Sequence, residues 1–75
     1  MKVTVKLIGP FVNQLGWSER EMDVAPPATV EGLIAAVGID KARPKIVTRN
    51  GRAVAPGEEV QDGDRVVISP IYSGG

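Results

Sequence analysis

The stretch Arg65-Val66-Val67-Ile68-Ser69-Pro70-Ile71 decides the fold of this chain. Its apolar residues fall on both faces, Val66 and Ile68 on one and Val67 and Ile71 on the other. A strand covered on both sides belongs inside a sheet. The turn signal Asp62-Gly63-Asp64 immediately precedes it, which sets a predicted strand over 65–71. At the opposite end, Val3, Val5 and Leu7 alternate with Lys2, Thr4 and Lys6, the period of a strand over 2–8. If the first and last strands are both central, they pair in parallel and everything between them forms the crossover.

The intervening elements follow from local chemistry. Gly9-Pro10 ends the first strand. Phe11, Val12 and Leu15 fit a short helical turn that Gly16 stops. A second strand is predicted over 20–24, with Met22 and Val24 on one face and Glu21 and Asp23 on the other; Ala25-Pro26-Pro27 then makes a rigid connection. Thr29 reads as an N-cap with Glu31 in the first turn, and Val30, Leu33, Ile34 and Val37 form one apolar stripe closed by Gly38. Gly32 inside that helix costs about 1 kcal/mol relative to Ala, and a close approach to the sheet would explain it. A third strand over 45–49 meets the hairpin signal Asn50-Gly51 and a short strand over 52–54. Ala55-Pro56-Gly57 makes a further turn.

One amphipathic helix cannot close its own core, so it lies across one face of the sheet. The expected architecture is therefore α+β: a β-grasp, ubiquitin-like roll with a mixed sheet of four to five strands and one main helix. Residues 1–71 form its single domain, and 72–75 a flexible tail ending in diglycine.

Composition narrows the chemistry. There is no Cys and no His among the 75 residues, which removes the disulfide, the thiolate nucleophile, the usual metal ligands and the neutral-pH imidazole base. No acid–base pair is recognisable among the carboxylates, and no phosphate-binding glycine loop is present, so an enzyme in its own right is not expected. The net charge of zero argues against nucleic acid. No segment approaches the length of a membrane span and the N-terminal residues lack a signal peptide's apolar run. A cytoplasmic protein, monomeric when free and binding no metal or cofactor of its own, is expected.

The remaining functional group is the carboxylate of Gly75. Glycine has no Cβ, so a Gly-Gly tail is the thinnest peptide and can thread a narrow slot. Carboxylate is a poor electrophile, and adenylation by a partner enzyme would make it attackable by an amine or a sulfur nucleophile. The charges are also uneven: Lys41, Arg43, Lys45, Arg49 and Arg52 follow one another without an intervening acid, a basic stretch that could steer the domain onto an acidic partner. Ile71 and Tyr72 lead into the tail, and Phe11 and Trp17 are the other aromatic candidates for contact. The expected partner surface is Ile71, Phe11, Arg49 and Arg52.

The strand Lys2-Val3-Thr4-Val5-Lys6-Leu7, the helix entry Ala28-Thr29-Val30-Glu31-Gly32-Leu33-Ile34, Asn50-Gly51, the segment over 62–68 and the ending Pro70-Ile71-Tyr72-Ser73-Gly74-Gly75 together resemble the ThiS/MoaD group of ubiquitin-like sulfur carriers. The resemblance spans nearly the whole chain. It implies that an adenylating enzyme of the ubiquitin-activating type uses MgATP to form an acyl-adenylate at Gly75. A persulfide-bearing sulfur donor converts this to a thiocarboxylate, and an acceptor synthase subunit receives the tail through Gly74, Ser73 and Tyr72. The insertion over 11–16 and Pro70 favour the molybdopterin synthase small-subunit branch, while Val47-Thr48-Arg49-Asn50-Gly51 is close to the thiamine branch. Two other readings stay open: a protein modifier joined through Gly75 to lysines, and a non-covalent interaction module with an inert tail.

Overall fold

The computed structural model of the chain describes residues 1–71. Its elements run β1 (Lys2–Leu7), α1 (Pro10–Leu15), β2 (Glu19–Asp23), α2 (Val30–Val37), β3 (Lys45–Arg49), β4 (Arg52–Ala53) and β5 (Arg65–Pro70). The five strands form one sheet in the order β2-β1-β5-β3-β4. The last strand is thus central, as its two apolar faces require, and it pairs in parallel with the first, Val5 opposite Val66 and Leu7 opposite Ile68. The remaining pairs are antiparallel. Val3, Val5, Leu7, Val66 and Ile68 from the sheet pack with Val30, Leu33 and Ile34 of α2 in one core. This is the expected β-grasp.

The caps behave as their residues dictate. Thr29 Oγ1 accepts a hydrogen bond from the Gly32 N–H at 3.1 Å, satisfying one orphan donor of the first helical turn. Gly38 takes φ 95° at the other end, where a side chain would be strained. Gly32 does not face the sheet: it is exposed, and a Cβ there would meet Thr29 Oγ1 at 3.3 Å. The explanation by close approach to the sheet is therefore corrected to crowding against the helix cap. Asn50 and Gly51, at φ 53° and 85°, supply the two left-handed residues of the tight β3–β4 turn. The short helical turn over 11–15 becomes α1, with Pro10 in its first turn and Gly16 after it.

The segment between β4 and β5 contributes more than a turn. The Val30 and Glu31 N–H groups, which have no intrahelical partner, donate to the Glu58 and Pro56 carbonyls at 2.9 and 2.8 Å, and Val60 N–H donates to Ala28 O at 2.8 Å. This pairing carries Val60 into the core, where it is buried. Among the described residues, no buried side-chain polar atom lacks a partner.

Candidate functional site

Two surfaces meet at the end of β5. The first is the sheet face turned away from α2. Since Val66 and Ile68 point into the core, Val67 and Ser69 point outward, and the register places Ile46 opposite Ser69 and Thr48 opposite Val67. Ile46 is 48% exposed. On the β1–β2 half of the same face the charges answer one another: Lys2 lies 3.7 Å from Glu21 and 3.1 Å from Asp23, and Arg65 lies 2.9 Å from Glu19. Such exposed pairs contribute little stability. Their effect is to leave the β5–β3 half as the less charged part of the face.

The second surface is a groove of about 460 Å³ between α2 and β3. Val30 and Ile34 of the helix, Val47 of β3 and Val54 give it apolar walls, and Lys41, Arg43 and Lys45 line its rim. Ile71, the first residue beyond β5, lines the same groove and is 53% exposed.

The basic stretch does not form one face. Arg49 shares the inward side of β3 with Val47, because both lie an even number of residues apart. Its guanidinium donates through Nε to Asp64 Oδ2 and lies 3.9 Å from Glu58. Arg49 is thus an internal clamp and not an open docking cation, a correction to the expected partner surface. Arg52 is exposed on the edge strand β4, and Ile71 is exposed as expected. Phe11 is a second correction: it is fully buried in the core, with the Arg43 guanidinium over its ring at 4.8 Å, so it serves the core and not a partner. Trp17 is half-buried, with Arg20 stacked at 4.5 Å. Tyr72, Ser73, Gly74 and Gly75 lie outside the described residues. Among the described residues no cluster of His, Cys, Asp and Glu could hold a metal ion, and no helix is long and apolar enough to cross a membrane.

Asp64 is the polar centre that sequence reading passed over as part of a turn. It is the one buried charged side chain among the described residues. Besides Arg49 it accepts from Asn50 Nδ2 at 2.9 Å and from the Gln61 N–H at 2.7 Å. Burial pushes its carboxyl upward, but the Arg49 hydrogen bond, the Gln61 and Asn50 donors and the Arg49 charge together hold it below the ordinary carboxylate value. A depressed folded-state pKa means stability that is present above the unfolded value, about 3.9, and is lost as pH falls through the folded value. Asp64→Asn places an amide NH₂ among donors and is expected to destabilise the domain by about 1–3 kcal/mol at neutral pH. Urea titrations at descending pH should show the gap between parent and variant narrowing below about pH 4. A gap independent of pH would remove Asp64 as the titrating group.

A mixed sheet with a parallel central pair and a helix across one face defines a ubiquitin-like β-grasp protein. The family model of the ThiS family matches residues 5–75, and the chain belongs to that family. Among solved structures it is similar to a protein described as molybdopterin converting factor, subunit 1, from Pyrococcus furiosus, with 29% identity over 96% of this chain and 99% of the other at a TM-score of 0.82. It is likewise similar to SAMP1 from Haloferax volcanii, with 26% identity, full coverage of both chains and a TM-score of 0.80. A complex of subunits 1 and 2 of molybdopterin-converting factor from Helicobacter pylori shares the fold at 17% identity, full coverage of both chains and a TM-score of 0.68. The family is one of ubiquitin-fold sulfur carriers and modifiers.

Proposed function

We propose that this chain is a sulfur carrier whose working group is the Gly75 carboxylate. The family match supports this most directly, because it runs through the terminal diglycine. A partner enzyme of the ubiquitin-activating type joins the carboxylate to AMP from MgATP and releases pyrophosphate. The terminal sulfur of a persulfide enzyme then displaces AMP, and thiol cleavage of the resulting acyl disulfide leaves a thiocarboxylate. Sulfur is a softer and better nucleophile than carboxylate oxygen. The acceptor synthase takes the tail through Tyr72, Ser73 and Gly74, draws the sulfur, and returns a carboxylate. Cofactor biosynthesis is the destination, molybdopterin first and thiamine next; the likeness to the Pyrococcus protein supports the former. The outward β5–β3 face, with Ile46, Val67 and Thr48, is the surface on which a large partner would rest while holding the tail.

A second reading, the protein modifier, has support of its own in the likeness to SAMP1 from Haloferax volcanii; a structure of the small archaeal modifier protein 1 of that organism shares the fold. The same adenylate attacked by a lysine amine gives an isopeptide bond. Intact mass spectrometry of the untagged protein from its native host separates the readings. A species heavier by the sulfur-for-oxygen difference, located on Gly75, is the expected result. A plain carboxylate accompanied by lysine-linked conjugates would give the modifier, and a plain carboxylate with neither would leave an interaction module with an inert tail.

A further inference from the structure

We propose that the groove between α2 and β3 is a docking site for an acidic, aliphatic-bearing segment of the enzyme that handles the tail. The identity of that enzyme rests on the carrier reading; the chemistry of the groove does not.

Three observations carry the proposal. The fold splits the basic stretch: Arg49 turns inward to Asp64, Arg52 sits on the edge strand, and Lys41, Arg43 and Lys45 gather on the groove rim. Against these three cations the groove carries one carboxylate, Glu31, which lies 3.9 Å from Lys41. A partner segment complementary to this rim is acidic.

The cations are also held in place. Lys45 Nζ donates to the Lys41 and Arg43 carbonyls at 3.2 and 2.5 Å, which uses two of its three N–H donors. The Arg43 guanidinium donates to Gln14 and stacks on Phe11. Lys41, with a side chain 83% exposed, faces solvent. Beneath this rim the walls are aliphatic, and Ile71 stands half out in water at the groove's edge. Aliphatic side chains spaced between acids would cover both.

Position supplies the third observation. Four residues separate Ile71 from the end of Gly75, a reach of at most about 14 Å when extended. A partner whose active site holds Gly75 therefore has its surface within that distance of the groove.

The test is a titration of the ¹⁵N-labelled full chain with an acetylated, amidated pentapeptide alternating aspartate and leucine. Its control replaces each aspartate by asparagine. Shift changes should centre on Lys41, Ala42, Val47, Val54 and Ile71 and spare Thr4 and Val67 on the opposite face. Affinity should fall with ionic strength, by about fivefold or more in Lys41→Glu, and be lost in Ala42→Trp, which fills the groove from an exposed position. A chain lacking Gly74 and Gly75 should bind equally well, so failure of the carrier reading would leave this result standing. Equal binding of the asparagine control, shift changes on the opposite face, or no shift at millimolar peptide would overturn the proposal. So would movement of the groove resonances on removal of residues 72–75 without peptide, which would give the groove to the chain's own tail.

Discussion

Deletion of Gly75 is expected to abolish sulfur loading, with no thiocarboxylate detectable by intact mass after incubation with the activating enzyme, MgATP and a persulfide donor. The reason is chemical. The electrophile in the proposed cycle is one carbonyl carbon, and moving it back by one residue places it about 3.5 Å short of the partner's nucleotide. Placement errors of that size are costly, because adenylation requires the carboxylate oxygen in line with the α-phosphorus. The fold should not notice. The core from Val3 to Ile68 is complete within the described residues, so the melting temperature should stay within about 4 °C of the parent. Loss of loading together with a collapsed melting temperature would mean that the variant reports on folding and not on chemistry. Retained loading would place the reactive group elsewhere and remove the carrier reading.

Phe11→Ala should have the largest effect on stability, about 3–5 kcal/mol. A domain of this size has roughly 4–11 kcal/mol in total, so the loss would take a large share of its stability. Phe11 is fully buried and is the largest side chain in the core. It is also the anchor on which Arg43 stacks, so its removal loosens the loop before β3 as well. Chemical denaturation followed by circular dichroism should show the midpoint falling with little change in slope. A loss below about 1 kcal/mol would mean that the site relaxes around the void far more than a close-packed core allows.

Phe11 shows what the sequence could and could not say. Periodicity placed β1, α2 and β5, and the glycine and asparagine signals placed their boundaries, because those features are local. Whether an aromatic residue in a short helix faces the core depends on where that helix lands, which is set by contacts far along the chain. Arg49 was more legible than its first reading allowed. It lies two residues from Val47, and strand alternation alone puts both on the inner side, whatever the charge of the residues around it. Asp64 and Val60 were hidden for another reason. Val60 is carried inward by the segment over 55–61 pairing with the entry to α2, and Asp64 is held by Arg49 and Asn50 from the end of β3 and by Gln61; nothing within these stretches specifies the others. The groove required both lessons, since Lys41 and Arg43 come from the loop before β3, Lys45 from β3 itself, and its walls from three separate segments. The tail proposed to carry the reactive carboxylate rests on residue type alone, and residues 72–75 lie outside the described residues.

The central pairing of the first and last strands has a mechanical consequence. β1 and β5 run side by side in the same direction, so traction on the Gly75 end against the Met1 end slides one strand along the other. The evenly spaced hydrogen bonds of a parallel pair then bear the load together, whereas an edge hairpin would peel one bond at a time. Tension on the tail with β1 held therefore acts along β5 and is carried by these bonds in shear.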